Sequence, residues 1–502
     1  MTRFPTSIDC KRTSFLGIAL LLCAAIFVGK PARTLAAEPA SRPNVLLITL
    51  DDMNWDSLGC TGSKVPGISP HIDALAKQGL RFLHAHVTIA VCQPTRSVWF
   101  TGRYPHRNGA LGFQPINPAV PTLTEQTKKA GYFNGIMAKV PHLAPQRKFA
   151  WDVVVPAGEL AVGRDPELYY KHAKAFFERA KTAGKPFFLM ANSQDPHRPF
   201  AGSPQESGRR GKVRKKKKKR KRRPSNFPGV RRTYRPSEIT VPKFLPDISE
   251  VRQELAEYFT SVHRADEIVG AVLKALKETG YEKNTLVIFL SDHGMPLPFA
   301  KTNCYLNSTR TPLIVRWPGR VKPETVDTAH MLSGIDLMPT ILNALKLPAP
   351  KGMDGQSFLP ILAGKKQGGR DELYTVFHRT AGRRDFEMRS VLTKKHGYIY
   401  NAWSDGKTVF RNESQNGRTF RAMVAAARTN PLIAARVKLF QYRQKEEFYD
   451  YETDPAALKN LIDDPKHRKR IDRFRARMRQ RMKELKDPLE ETYKRERWNR
   501  KT

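Results

Sequence analysis

Cysteine is scarce in this chain of 502 residues, which contains five. Two of the five fall within the first 37 residues, so three remain in the rest of the chain: Cys60, Cys92 and Cys304. Three cysteines are too few for a disulfide framework in a protein of this length, and at least one of them must stay unpaired. The class of disulfide-stabilised small domains is therefore excluded, and the unpaired cysteine needs another explanation.

The N-terminal apolar segment is too short to cross a membrane. Basic residues at 11–12 precede an apolar run at 15–28, and two alanines at 36–37 offer a cleavage point, which is the pattern of a secretory signal peptide. A spanning helix needs about 20 apolar residues, so a retained anchor is the weaker alternative. We predict a signal peptide at 1–37 and a mature protein that is periplasmic or secreted, without stable membrane insertion.

Acidic residues are few relative to basic ones, at 47 against 88, and the formal net charge is +41. Of the 15 residues at 209–223, 13 are basic and none is acidic, so we predict a disordered basic insertion at 208–225. Without those 13 charges and the four net charges of the leader, +24 remains. The basic run alone would suggest nucleic acid, but the signal peptide argues against that partner. A basic mature chain suits an anionic substrate.

Buried strands alternate with amphipathic helices over most of the chain, a pattern that predicts an α/β fold with a large, mostly parallel sheet flanked by helices. The first strand, 44–50, is continuously apolar, as expected of a strand covered on both faces. The other predicted strands are 132–137, 187–191 and 285–290, and the helices lie between Ser69 and Gly79, at 122–130, at 168–182 and around 268–276 before Gly280.

The texture changes after about residue 369. Short strands are predicted at 388–392 and 397–401, followed by a highly charged helix at 468–485. We therefore predict a catalytic domain at 41–369 and a smaller C-terminal α+β domain at 370–502. No internal repeat is found.

Polar side chains follow four of these strands: Asp51 with Asp52, Lys139 with His142, Asp195 with His197, and Asp292 with His293. Ligands of α/β folds gather beyond the carboxyl ends of the strands, so these groups are expected to converge. Each pair alone is more often a turn or a helix cap. The carboxylates would repel one another unless a divalent cation lies between them, and oxygen ligands favour Ca²⁺ or Mg²⁺.

The segment 91–102, Val-Cys-Gln-Pro-Thr-Arg-Ser-Val-Trp-Phe-Thr-Gly, resembles the signature C-x-P-x-R of the sulfatases with its trailing T-G. In that family a maturation enzyme converts the cysteine, here Cys92, into formylglycine. The alternative is a structural cysteine, buried before an amphipathic turn and without a catalytic role. It is disfavoured because Asp51 and Asp52 lie about 40 residues upstream of Cys92 and Asp292 with His293 about 200 residues downstream.

The resemblance extends from residue 42 to the C-terminal stretch 447–461 and is nearest to the N-sulfoglucosamine sulfohydrolase (sulfamidase) type within the alkaline phosphatase superfamily. The segments that carry it are 195–198, 291–296, 301–305 and 388–391. Two residues depart from that branch, which has Asn at the position of His293 and Arg at that of Lys301. The spacing of Lys139 and His142 is closer to the iduronate sulfatase type.

The resemblance implies a mechanism in which hydrated formylglycine attacks sulfur, cations neutralise the sulfuryl oxygens, and His197 or Lys301 protonates the leaving group. Asp292 would help to deprotonate the nucleophile. Arg96 would bind the sulfuryl oxygens together with Lys139 and Lys301 and would position residue 92, and His142 would orient that residue or contact substrate. The implied catalytic residues are Cys92, Arg96, Lys139, His142, His197 and Lys301. The implied ligands of Ca²⁺, or of Mg²⁺, are Asp51, Asp52, Cys92, Asp292 and His293. The implied substrate-binding residues are Lys139, His197, Arg198 and Lys301.

Two other functions remain open on the sequence. One is a phosphodiesterase or phosphonate monoester hydrolase of the same superfamily, which fold analogy does not separate from a sulfatase. The other is a catalytically inactive binder of sulfated glycans, which would follow if Cys92 were never converted. The expected partners of the sulfatase are a sulfated saccharide and a formylglycine-generating enzyme, with the choice between O-sulfate and N-sulfate and the oligomeric state left open.

Overall fold

Two β-sheets organise the chain in the computed structural model, which describes residues 42–206 and 227–498. Both stretches belong to one unit that begins at Arg42. The predicted signal peptide at 1–37 and the predicted disordered insertion at 208–225 lie outside the described residues. Among the described helices, none combines the length and the apolar character needed to cross a membrane.

The larger sheet has eight strands in the order β4-β3-β5-β1-β6-β7-β2-β8. Within it, β7 runs antiparallel to both of its neighbours, and every other pairing is parallel. The predicted, mostly parallel sheet is thereby confirmed. Its strands are β1 (Asn44–Leu50), β2 (Leu80–His86), β3 (Phe133–Met137), β4 (Val153–Val155), β5 (Phe187–Asn192), β6 (Thr285–Ser291), β7 (Leu313–Arg316) and β8 (Thr325–Ser333).

The helices flank these strands, and those predicted from the sequence are confirmed. The predicted segment around 268–276 belongs to a helix of 30 residues, and the one at 168–182 begins two residues earlier, where Asp165 caps its N-terminus. The helices are α1 (Pro70–Lys77), α2 (Cys92–Thr101), α3 (Pro105–Asn108), α4 (Leu123–Lys129), α5 (Pro166–Thr182), α6 (Ser249–Glu278), α7 (Leu306–Thr309), α8 (Leu337–Ala344), α9 (Leu359–Leu362), α10 (Arg418–Ala426), α11 (Pro431–Tyr442), α12 (Arg468–Glu484) and α13 (Glu490–Tyr493).

The smaller sheet is antiparallel, with the order β12-β11-β10-β9. Its strands are β9 (Glu372–Arg379), β10 (Asp385–Thr393), β11 (His396–Asn401) and β12 (Glu446–Asp450). The predicted second, α+β layer at the C-terminus is therefore present. One apolar cluster contains Leu46 of β1 and Val376 of β9, so the hydrophobic core continues from one sheet into the other. The boundary at 369–370 remains a prediction.

The register of the central strands brings the candidate residues to one edge. Strand β1 lies between β5 and β6, and all of its residues are buried. Thr49 pairs with Asn192 of β5, and Leu50 pairs with Ser291 of β6. The three strands therefore end side by side, and the polar residues that follow them meet at the carboxyl edge of the sheet.

Candidate active site

The turns after β1 and β6 hold two pairs of fully buried polar residues, Asp51 with Asp52 and Asp292 with His293. Asp52 has a left-handed backbone with φ of 70°, a conformation that is strained for a residue with a side chain. Its amide donates a hydrogen bond of 3.0 Å to Oδ1 of Asp292. The Nε2 atom of His293 lies 3.3 Å from Asp52 Oδ1. The two turns are therefore joined directly through their acidic side chains.

Cys92 is the first residue of α2, which begins two residues earlier than the predicted start near Pro94. Its Sγ atom lies 3.4 Å from Asp51 Oδ1 and 3.4 Å from His293 Nε2. Burial raises the pKa of the Cys92 thiol well above its usual value. All three cysteines of the described residues are free thiols, in agreement with the predicted lack of a disulfide framework.

Arg96 lies one turn into α2 and is fully buried. One guanidinium nitrogen donates 3.0 Å to Asp292 Oδ2, and the other donates 2.9 Å to Thr49 Oγ1 and 2.6 Å to Asn192 Oδ1. The side chain thus ties α2 to the ends of β1, β5 and β6. Arg96 is not among the residues that line the cavity beside Cys92 and Lys139. This placement fits the predicted positioning role better than contact with sulfate.

Two buried lysines neutralise the aspartates of the first turn. Lys139 forms an ion pair with Asp51, and Lys301 Nζ lies 2.9 Å from Asp52. Lys301 also donates a hydrogen bond of 2.7 Å to Glu413 Oε2. Burial by itself would lower the pKa of Lys301, but the carboxylates of Asp52 and Glu413 outweigh it and raise that pKa well above its usual value. Asp52 and Glu413 therefore favour the charged form of Lys301.

The donor set fits a divalent cation. The ligand atoms of Asp51, Asp52, Cys92 and His293 all lie within 4.8 Å of one another. The fifth predicted ligand, Asp292, lies beside them, with Oδ1 3.6 Å from His293 Nε2. Burial raises the pKa of Asp52 although Lys301 lies beside it, so additional positive charge nearby would favour the ionised carboxylate. A cation among these oxygens would supply it.

Two histidines, His142 and His197, lie near the lysines of the site. His197 Nδ1 lies 2.6 Å from the carbonyl oxygen of Arg198, so that nitrogen carries a proton and Nε2 is directed toward Asp52 and Glu413, at 3.8 and 3.6 Å. Desolvation lowers the pKa of His197 to about 3. His142 packs edge-on against the ring of Phe113, with the ring centroids 5.7 Å apart. Desolvation also lowers the pKa of His142 well below its usual value.

These groups open into a cavity of about 590 Å³. Five of the predicted site residues line it: Cys92, Lys139, His142, His197 and Lys301. The chain beyond residue 369 also lines the cavity, and it contributes Thr380, Ala381, Gly382, Arg384, Arg411, Asn412, Glu413 and Asn416. The cavity is therefore completed by the C-terminal part of the chain.

Two residues of the predicted segment 195–198, Asp195 and Arg198, form ion pairs with residues of the surrounding scaffold and do not line the cavity. Arg198, predicted to bind substrate, donates 3.0 Å to Glu254 Oε1, its guanidinium lies 4.9 Å from the ring centroid of Phe200, and it is not among the residues that line the cavity. Asp195 is fully buried in ion pairs with Arg164 and, at 2.6 Å, with Arg264. Its neighbours are cations of the surrounding scaffold, because an acid buried this deeply requires them.

Glu413 is a site residue that the sequence analysis missed. It lies in a short 3-10 helix at 413–416, outside every motif that was considered. Its carboxylate contacts Lys301 and faces His197, and the sequence carries no local signal for either contact. More than 100 residues separate Glu413 from Lys301, so only the folded chain places them together.

Comparisons with known proteins identify the family. The sulfatase family model matches residues 43–347, and the model of the C-terminal region of N-sulphoglucosamine sulphohydrolase matches residues 292–407. Human N-sulphoglucosamine sulphohydrolase is 28% identical over 472 residues, which cover 89% of this chain and 91% of that protein. An ulvan-active sulfatase of Formosa agariphila is 26% identical, over 86% of this chain and 73% of that protein.

A solved structure shares the fold. It is that of a protein in complex with its substrate, D-glucosamine-2-N,6-O-disulfate, and it superimposes with a TM-score of 0.64 at 18% identity. The alignment covers 89% of this chain and 99% of that chain. At this level of identity the likeness speaks for the architecture alone.

Proposed function

The chain belongs to the sulfatase family, and from this premise we propose that it releases sulfate from sulfated saccharides, with Cys92 oxidised to formylglycine as the nucleophile. The observation that carries the proposal is the position of Cys92. It lies at the start of α2, within 3.4 Å of both Asp51 and His293, at a cavity lined by Lys139 and Lys301. The relatives named above include a glucosamine sulfohydrolase and an ulvan-active sulfatase, which supports a saccharide substrate.

We propose that a divalent cation, Ca²⁺ or Mg²⁺, is held by Asp51, Asp52, Asp292, His293 and the modified residue 92. When bound, such a cation withdraws charge from the sulfate oxygens and lowers the pKa of a neighbouring hydroxyl. The carboxylates are held close together, since the amide of Asp52 donates a hydrogen bond of 3.0 Å to the side-chain Oδ1 of Asp292. Arg96 keeps the same carboxylate oriented through its contact with Asp292 Oδ2.

In the proposed mechanism, Lys139, Lys301 and the N-terminus of α2 bind and orient the sulfate group. Hydrated formylglycine offers one hydroxyl for attack on sulfur and a second from which the aldehyde can re-form, which a serine does not. Lys139 and Lys301 neutralise the charge of the sulfate oxygens, and because both lysines are buried their effect is stronger than it would be in water. Helix α2 begins at Cys92, so its N-terminus also favours an anion at this position.

His197 is the proposed proton donor to the leaving oxygen or nitrogen. Its Nδ1 is engaged by the carbonyl of Arg198, so the proton that His197 donates must be carried on Nε2, at the cavity. Desolvation lowers the pKa of the unliganded imidazole, so His197 would take up this second proton when the anionic substrate binds, and the carboxylates of Asp52 and Glu413, 3.8 and 3.6 Å from Nε2, favour the uptake. Lys301, the other residue considered for this role, is held between Asp52 and Glu413. A lysine stabilised in its charged form by two carboxylates gives up a proton less readily, so its role is to bind charge.

We propose further that residues 1–37 direct export and are removed. Expression with a compatible secretion system, followed by N-terminal sequencing of the exported protein, tests this point. The first residue found should lie just after 36–37, at a pair of alanines typical of cleavage sites. Retention of the leader in the exported protein would contradict it.

The function is tested by an assay of the protein coexpressed with a formylglycine-generating enzyme. The substrates are p-nitrophenyl sulfate, bis(p-nitrophenyl) phosphate, glucosamine N-sulfate and glucosamine 6-O-sulfate, with Cys92→Ala as the matched control. Sulfate release that exceeds phosphodiester cleavage and is lost in the variant is expected. Faster cleavage of the phosphodiester would favour the phosphodiesterase alternative. Binding of the saccharides without turnover of any substrate would favour the inactive glycan binder.

A further inference from the structure

Two arginines in the wall of the cavity have no acidic partner among the described residues. Arg384 and Arg411 both line the cavity, and both side chains are exposed. No described hydrogen bond or ion pair joins either guanidinium to a carboxylate in residues 42–206 and 227–498. The one carboxylate among the cavity-lining residues of these ranges is Glu413, which already accepts a hydrogen bond from Lys301 at 2.7 Å. The wall therefore carries uncompensated positive charge.

The turn that carries Arg384 is fixed on both sides. It connects β9 to β10, and its ends are held by hydrogen bonds of 3.0 Å from the Thr380 amide to the Arg384 carbonyl and 2.9 Å from the Arg383 amide to the Thr380 carbonyl. Arg379 and Asp385 form a two-point ion pair across the turn, at 2.6 and 3.0 Å. Asp385 is thereby occupied, and its charge is not available to Arg384.

The segment that carries Arg411 is anchored to the active site itself. The preceding residue, Phe410, is fully buried. The following residue, Asn412, donates hydrogen bonds of 2.5 Å to Thr302 Oγ1 and 3.4 Å to the carbonyl of Lys301. The backbone of Arg411 is therefore positioned relative to the lysine that contacts the sulfate in the proposed mechanism.

We infer that Arg384 and Arg411 form a second anion-binding subsite, which receives another sulfate or a carboxylate of the saccharide whose scissile sulfate lies at residue 92. The inference rests on the proposed function and narrows its substrate class to saccharides with two or more anionic groups. Guanidinium groups bind sulfate and carboxylate through paired hydrogen bonds, and both arginines line the same cavity as Cys92. A neutral sugar would form no ion pair with either guanidinium group.

The test measures how well saccharides compete with p-nitrophenyl sulfate, so that it does not depend on their being cleaved. The probes are glucosamine 6-O-sulfate with one anion, glucosamine N,6-O-disulfate with a second sulfate, and a monosulfated uronyl-glucosamine disaccharide with a carboxylate. In the wild type, one or both of the last two should bind about 10-fold more tightly than the first, as expected for two partly exposed charge contacts. Which of the two gains identifies the second anion.

The Arg384→Gln/Arg411→Gln variant should reduce that ratio toward one, and raising the salt concentration should do the same in the wild type. The matched control is Arg383→Gln, which removes an exposed arginine that does not line the cavity and should retain the ratio. Hydrolysis of p-nitrophenyl sulfate without any preference for a second anion, or a preference that survives in the double variant, overturns the inference and leaves the sulfatase function standing. Absence of sulfate release from every substrate overturns both.

Discussion

Replacement of Arg96 by glutamine provides a quantitative test of the buried charges. The guanidinium and the carboxylate of Asp292 are both fully buried and lie 3.0 Å apart. Removal of one partner of such a pair leaves the other charge uncompensated, which costs about 3–5 kcal/mol. In EDTA, where a bound cation does not share the charge of Asp292, we expect Arg96→Gln to lower the free energy of unfolding by about this amount.

The double variant Arg96→Gln/Asp292→Asn distinguishes a charge effect from a packing effect. It replaces the stranded carboxylate by a neutral amide, so the loss should shrink to about 1–3 kcal/mol, the cost of imperfect hydrogen bonds. The double variant should then be more stable than Arg96→Gln alone, although both are inactive. Urea unfolding of the wild type, Arg96→Gln, Asp292→Asn and the double variant gives a double-mutant cycle, from which the interaction free energy of the pair is obtained.

The dependence on pH gives a second check of the same pair. The His293 and Arg96 side chains outweigh the effect of burial and hold the pKa of Asp292 below its usual range. A depressed carboxyl pKa stabilises the fold at neutral pH, and this contribution is lost as the pH falls through the folded-state pKa. In Arg96→Gln the pKa of the buried Asp292 carboxyl rises because Arg96 no longer opposes the effect of burial, so lowering the pH protonates the variant before the wild type and the difference in stability between them should narrow steadily. A single variant as stable as the wild type in EDTA, or a double variant less stable than the single, would refute the reasoning.

Three further predictions concern the chemistry. Peptide mass spectrometry of the coexpressed protein should show Cys92 lighter by about 18 Da, the change from thiol to aldehyde, and an active preparation with an unmodified thiol would exclude the mechanism. Asp52→Asn, or chelation of the metal, should lower kcat by several orders of magnitude, and full activity after verified metal removal would contradict the proposed cation. Glu413→Gln should tighten inhibition by inorganic sulfate several-fold, since it removes a negative charge 2.7 Å from Lys301, and weaker inhibition would argue against competition for that lysine.

The candidate site residues at the carboxyl edge of the larger sheet were largely predictable, because short segments of the sequence indicate them. The strand at 44–50 is continuously apolar and is followed at once by two aspartates, and the structure places it in the middle of the larger sheet. The same logic predicted the strand that precedes Asp292. Parallel strands end at a common edge, so residues distant in sequence could be expected together before the fold was known.

The parts that were not predicted depend on contacts without a local pattern. Strand β7 has four residues and runs antiparallel to its neighbours, and so short a segment does not reveal its direction. Arg198 and Asp195 stand in a motif that predicted a site, yet their side chains bind Glu254 and Arg264. Their orientation follows from the helix packed beside them.

The sequence by itself determined the α/β class and the buried strands, because the pattern of apolar residues in consecutive positions has a direct physical meaning. It also determined the sulfatase resemblance, which Cys92, Asp51 with Asp52, and Asp292 with His293 carry in short segments. The tertiary structure alone decided how the cavity is closed. Glu413, Arg384 and Arg411 reach it from turns and loops far along the chain, and the first of them contacts Lys301 across 112 positions. Loop conformations of this kind are set by packing between distant segments, which no local periodicity records.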